Sequence, residues 1–394
     1  MAIMSDLPRD LLAEILSRVP LASLRSVRFT CKKWNDLSKD RSFLKKQIVE
    51  AKKKQLKSKE FEVIMMRNFR VYLTSVDLHN DVNPSFTPKG TLTSFSDDAN
   101  QHQVDNVSSV FHCDGLLLCI TKDLNFRLVV WNPYFGQTRW IQPRNSYHIK
   151  DIYAIGYDEN KNHKILRLKD QYYDYDSHPR ARICEFELYS FESNSWKVVL
   201  DVSPDWYIHS YHRGLSVKGN TYWYATEKHG YVNFLICFDF TTEKFGPRLP
   251  LPFNATESFT YDDVVTLSSV GEEQLALLFQ SDATLMMEIW VTSKVDPTEV
   301  LWNKLFLAVD HDMIEFDYEL KFVADAGSFF IDQKKNVVVV FDKDMNEHTH
   351  RGMAYIVGKN GYFKRVDIGE EAYTSCFPLV CSYVPSSVQI RQLT

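Results

Sequence analysis

Apolar residues fall at helical spacing over the first forty-odd positions and at strand spacing after about residue 60. The run Leu11, Leu12, Ile15, Leu16 and Val19 predicts one helix from about Arg9 to Val19. Pro8 suits its first turn, where a missing N–H costs nothing, and Pro20 cannot continue it. At 100° per residue those side chains spread over roughly 140°, wider than the ~100° stripe that one core needs. Such a helix has two surfaces to cover. A second apolar series, Leu21, Leu24, Val27, Cys31, Trp34 and Leu37, follows at spacings of three and four and predicts one or two short helices packed on the first. A unit of about 40 residues rarely buries enough surface to fold alone. The surplus apolar face is therefore expected to dock another protein.

From Phe61 onward the runs are short and alternating. Glu185-Phe186-Glu187-Leu188-Tyr189 and Lys164-Ile165-Leu166-Arg167-Leu168 read as strands. Lys218-Gly219-Asn220, Asp158-Glu159-Asn160-Lys161-Asn162 and Asn360-Gly361 read as the turns between them. No long amphipathic helix interrupts the series, so antiparallel hairpins are the expected unit and parallel βαβ topology is not. A weak repeat underlies them: an aromatic-rich strand, a polar turn, then an aromatic opening the next strand. Its closing aromatics, Trp140, Trp196, Phe245, Trp302 and Phe363, recur roughly every 50–60 residues, a spacing that suits four-stranded propeller blades with their loops. The expected fold is α+β: a small helical unit, then a mostly antiparallel all-β body forming a β-propeller of about six irregular blades. A twisted β-sandwich is the alternative. In a propeller each of these aromatics would fill the wedge between neighbouring blades.

Two resemblances follow from these residues. Leu7-Pro8, Asp10-Leu11, Glu14-Ile15-Leu16, Arg18-Val19-Pro20, Ser23-Leu24, Cys31-Lys32-Lys33-Trp34 and Phe43 together resemble the F-box, by which substrate receptors attach to the Skp-type adaptor of cullin–RING ubiquitin ligases. The body resembles the kelch-like F-box-associated domain of the large plant F-box family. The supporting runs are Cys113-Asp114-Gly115-Leu116-Leu117-Leu118, Trp131-Asn132-Pro133, Gly156-Tyr157-Asp158, Ser195-Trp196, Phe238-Asp239-Phe240 and Gly214 to Trp223, although the Gly-Gly doublet of true kelch repeats is missing. The resemblance implies an F-box over residues 1–47, a lysine-rich linker over 48–60 and a propeller over 61–394. It also implies a Skp-type adaptor as partner, with a cullin and a RING protein beyond it. The residues expected to touch the adaptor are Leu7, Pro8, Leu11, Ile15, Leu16 and Val19, with Leu24, Val27, Cys31 and Trp34 divided between that contact and the F-box's own packing.

Composition narrows the remaining classes. Residues 1–60 hold fifteen Lys and Arg against seven Asp and Glu, a net of +8; the chain as a whole is −5, which leaves −13 for the body. The lysines between Lys45 and Lys59 lack interleaved aromatics and the body is acidic, so a solvated linker is expected rather than a nucleic-acid contact. Seven cysteines at irregular spacing, with no Cys-x-x-Cys, fit neither a disulfide framework nor a zinc site and suggest reduced thiols in cytoplasm or nucleus. Charged residues precede any long apolar run, and no run approaches the ~20 residues of a membrane span. No catalytic motif, metal site or cofactor-binding loop is evident.

Recognition of an unidentified protein substrate is expected from loops on one face of the body. Tyr172, Tyr173 and Tyr175 in one stretch, and Trp206, Tyr207 and Tyr211 in another, combine aromatic anchors with polar groups, the composition of interface hot spots. The reading is a non-enzymatic substrate receptor of an SCF ubiquitin ligase. The alternatives are an adaptor-bound scaffold that never joins a cullin and a propeller hydrolase.

Overall fold

Short runs of β-branched and aromatic residues separated by Gly, Asn and Asp turns fold here into hairpin after hairpin, every pair antiparallel. The computed structural model describes residues 8–17, 32–38, 40, 42–43, 49, 60–78, 84–91, 95–97, 102–104, 106–123, 126–133, 135–148, 150–170, 184–199, 204–209, 212–228, 232–253, 263–308, 322, 328–344, 351–359, 362–370, 379–386 and 388–390. Two helices, α1 (Arg9–Ser17) and α2 (Lys32–Ser38), precede the strands.

The strands form six blades of a closed propeller. Blade 1 holds β1 (Glu60–Arg67), β2 (Arg70–Asp77) and β3 (Ser85–Thr91). A small hairpin, β4 (Phe95–Asp97) with β5 (His102–Val104), leads to blade 2, made of β6 (Val107–Cys113), β7 (Leu116–Thr121), β8 (Leu128–Asn132) and β9 (Gln137–Ile141). Blade 3 is β10 (Ile152–Tyr157), β11 (His163–Asp170), β12 (Cys184–Ser190) and β13 (Ser195–Val199). Blade 4 has five strands, β14 (Trp206–Tyr207), β15 (Leu215–Val217), β16 (Asn220–Glu227), β17 (Asn233–Asp239) and β18 (Lys244–Phe245). Blade 5 is β19 (Val264–Val270), β20 (Gln274–Gln280), β21 (Met287–Val295) and β22 (Val300–Ala308); blade 6 is β23 (Ser328–Asp332), β24 (Val337–Lys343), β25 (Arg351–Gly358) and β26 (Phe363–Glu370). The last strand, β27 (Leu379–Ser382), returns to pair with β1, from Met66 opposite Leu379 to Val63 opposite Ser382. The first and last strands of the β body thus meet in blade 1, and the sandwich alternative falls away.

Each blade buries both its faces, so its inner strands are buried along their whole length instead of alternating; β7 and the Val337–Phe341 run of β24 are examples. Separate apolar clusters fill the six blade-to-blade interfaces. The repeat aromatics sit one to an interface: Trp140 between blades 1 and 2, Trp196 between 2 and 3, Phe245 between 3 and 4, Trp302 between 4 and 5, Phe363 between 5 and 6. Phe86 of β3 packs into the sixth, edge-on to Phe341 with ring centroids 5.5 Å apart.

Hairpin order decides which loops share an end of the ring. The first hairpins of successive blades touch: Tyr157 N donates to Gly219 O at 3.0 Å, and Lys218 N to Glu272 O at 3.1 Å. Third hairpins lie at that same end, where Phe191 N donates to His163 O at 3.2 Å. Because antiparallel strands reverse direction at every turn, second hairpins and blade-to-blade connections emerge at the opposite end. Gly219 holds φ +86° in the first hairpin of blade 4, and a Cβ there would lie 2.4 Å from the Tyr157 ring. This turn needs glycine for its conformation and for its close neighbour.

Candidate functional site

The first helix divides its apolar residues between two directions. Leu12 and Leu16 are 4% and 1% exposed and pack with Leu37 of α2, Phe43 and Phe135. Leu11 and Ile15, one residue earlier in each turn, are 53% and 38% exposed. An ion pair fixes the arrangement: Arg9 Nη2 lies 2.6 Å from Asp40 Oδ2, while Asp40 Oδ1 accepts hydrogen bonds from Ser42 Oγ at 2.5 Å, Ser42 N at 2.9 Å and Phe43 N at 3.2 Å. The Ser42 hydroxyl, then those backbone donors and Arg9, hold the Asp40 carboxyl below its ordinary range. The aspartate thus ties the start of α1 to the segment that carries Phe43.

Of the residues expected to face a partner, Pro8, Leu11 and Ile15 are exposed and Trp34 is half-buried against the small core. Leu16 is a correction. It points with Leu12 into the unit's own core, because residues four apart share a helix face and that face is covered by α2 and the propeller. Leu7, Val19, Leu24, Val27 and Cys31 lie outside the described residues. The paired stripes Leu12/Leu16 and Leu11/Ile15 leave the second stripe open to solvent.

At the opposite end of the ring, Trp206 and Tyr207 are the described members of the expected substrate face; Tyr172, Tyr173, Tyr175 and Tyr211 lie outside the described residues. Trp206, expected on the substrate face, is 7% exposed; it forms part of the core between blades 3 and 4, with its ring centroid 4.9 Å from that of Phe245. Pairing of β14 with the far end of β16 turns it inward. Tyr207 is half-buried and meets His209 edge-on at 4.8 Å.

Beneath this end, blade 3 holds a buried ion cluster that sequence reading missed. Arg167 Nη2 is 2.5 Å from Asp151 Oδ2 and Nη1 is 3.1 Å from Glu187 Oε2, with side-chain exposures of 1%, 5% and 0%. Arg144 and Lys169 approach the other Glu187 oxygen at 3.1 and 2.9 Å. Arg167↔Glu187 is a cross-strand pair in register, and that alternation of opposite charges on β11 and β12 was the available signal.

The axis of the ring contains a cavity of about 80 Å³ lined by His112, Arg213, Ser216, Ser268, Ser328 and Cys381 among others. That volume suits a few waters. Its described lining includes no carboxylate. Burial pulls the His112 pKa down to about 4, and its Nε2 accepts from Gly115 N at 3.2 Å. Burial also raises the Cys381 thiol to about 12, which disfavours its thiolate.

Comparison with known sequences agrees with this architecture. Residues 4–46 match the F-box domain and residues 62–390 match the F-box associated beta propeller domain. This chain belongs to the F-box-associated β-propeller family. An F-box protein of Arabidopsis thaliana is 84% identical over 394 residues, covering all of both chains. An F-box/kelch-repeat protein of the same plant is 55% identical, covering 98% of this chain and 99% of its own. Among solved structures, the six-bladed lectin of Aleuria aurantia aligns with 80% of this chain and 97% of its own at 8% identity, with a TM-score of 0.43.

Proposed function

We propose that this F-box protein is the substrate-recognition subunit of an SCF ubiquitin ligase, leading its protein substrate to ubiquitination and proteasomal degradation. The observation that carries the reading is the open Leu11/Ile15 stripe of α1, left exposed after the F-box has packed its other stripe. Exposed neighbouring apolar residues on a well-formed helix suit a complementary apolar groove, and the Skp-type adaptor is the partner that an F-box implies. Through it the chain joins a cullin and a RING protein. The propeller takes no part in the chemistry. It holds the substrate at the end of the ring opposite the F-box, and transfer is accelerated by proximity. Tyr207 lies at that end, and Tyr172, Tyr173, Tyr175 and Tyr211 are the other proposed anchors. The complex acts in cytoplasm or nucleus.

Affinity purification from plant cells with the proteasome blocked tests this assignment. The cullin is expected to co-purify with the unaltered chain and to be lost from a Leu11→Asp/Ile15→Asp variant of unchanged melting temperature. Adaptor recovered without cullin would support the scaffold reading instead.

A further inference from the structure

The small F-box core is completed by a residue outside the F-box. Among the described residues, Leu12, Leu16, Leu37 and Phe43 are its buried members from the F-box, and Phe135, 6% exposed, joins them from the third hairpin of blade 2. Among the described residues this core is small, and the Phe135 ring adds a large apolar side chain to it from outside the helices. Phe135 joins none of the six clusters between blades. Its ring serves the F-box.

The hairpin that carries it is held from below. Asn132, 0% exposed, accepts from Phe135 N through Oδ1 at 3.2 Å and donates through Nδ2 to Ser386 O at 3.3 Å and Val388 O at 2.6 Å. Ile390 N donates to Gln137 Oε1 at 3.0 Å, on the other arm of the same hairpin. The C-terminal segment that follows β27 is thereby bonded to the hairpin on which the F-box sits. One buried amide joins ring closure to the F-box seat.

We infer that Phe135 is a positioning residue: it seats the F-box on the propeller and so sets the direction of the open Leu11/Ile15 stripe relative to the far end of the ring. The seat works in series with Asn132. A flexible tether would spread the F-box over many directions and dilute any bound substrate relative to its target, whereas a seated one holds a single geometry. The functional consequence rests on the receptor reading above, but the seat itself does not.

The test therefore uses the full chain alone, without adaptor. Spin labels on cysteines introduced by Asp36→Cys in α2 and Glu192→Cys in the third hairpin of blade 3 report the distance between F-box and propeller. A single narrow distribution is expected for the parent, a distribution at least about twice as wide for Phe135→Ala, and a return toward the narrow one for Phe135→Leu, which keeps an apolar plug. Hydrogen exchange supplies a second readout: α1 amides should exchange roughly tenfold faster in Phe135→Ala while β7, β20 and β24 keep their protection. An equally narrow distribution and unchanged α1 exchange in Phe135→Ala would overturn the proposal, whatever the chain does with an adaptor.

Discussion

A chain ended after residue 378 is expected to fail to fold into a monomeric propeller. The truncation removes β27, the strand that closes the ring, and with it the backbone pairing to Val63–Met66. It also removes Leu379, Val380, Tyr383 and Ile390, each at most 8% exposed and spread over the interfaces of blade 1 with blades 2 and 6 and of blades 2 and 3. At about 1.5–3 kcal/mol per buried large side chain, the loss is ~6–12 kcal/mol, comparable to the whole stability of an ordinary domain. β1 becomes an unpaired apolar edge, which invites pairing between chains. Size-exclusion chromatography and circular dichroism should find aggregate in place of a cooperatively melting monomer. A soluble monomer that melts within a few degrees of the parent would mean that the ring does not depend on this closure.

Arg167→Ala is expected to lower the free energy of unfolding by about 3–5 kcal/mol, the usual cost of removing one partner from a buried ion pair. Glu187 retains Arg144 and Lys169, but Asp151 loses both Arg167 nitrogens that approach it, Nε at 2.8 Å and Nη2 at 2.5 Å. The Ser146 carbonyl loses its 2.7 Å donor as well. Asp151 keeps hydrogen bonds from His148 N at 2.9 Å and the Tyr153 hydroxyl at 3.1 Å, but no charged partner to balance a carboxylate that is 5% exposed. Arg167→Lys should recover part of the loss, since it restores the charge but not the forked geometry. Urea unfolding followed by tryptophan fluorescence measures it. A change below about 1 kcal/mol in Arg167→Ala would show that the cluster contributes no more than a surface pair.

The propeller was legible where one residue type answers one geometric need. Each blade widens toward the rim, and the outermost strand requires a bulky apolar side chain to fill the wedge; Trp140, Trp196, Phe245, Trp302 and Phe363 mark that strand in five blades. In blade 1 the same place is taken by Phe86 on β3, outside the spacing of the other five. Lys218 and Gly219, with φ of 52° and 86°, fold the tight turn that their sequence announces. Asp158 likewise organises its turn, its Oδ1 accepting from Asn160 N and Asn162 N.

The docking surface was legible only in part. Helical spacing shows that α1 has two apolar stripes but not which one the rest of the chain covers. The covering residue, Phe135, lies in a turn of a distant hairpin where local pattern carries no helical or strand signal. Leu16 was therefore placed outside when it is inside. Trp206 was misplaced for the converse reason: it follows Pro204 in a polar stretch that reads as loop, and a two-residue pairing with β16 is enough to turn the indole into the core. Buried charges such as Arg167 and Glu187 look like ordinary surface alternation until the neighbouring strand is known.

The central claim is that the exposed stripe of α1 is what the adaptor binds. Calorimetric titration of the purified full-length chain with a purified Skp-type adaptor tests it most directly, comparing the parent with Leu11→Asp/Ile15→Asp. Two apolar anchors of hot-spot strength, each worth about 2 kcal/mol or more, predict saturable binding by the parent and at least a roughly hundredfold weaker affinity in the variant, with the melting temperature unchanged. Equal affinity in both chains, or no binding by the parent, would contradict the account.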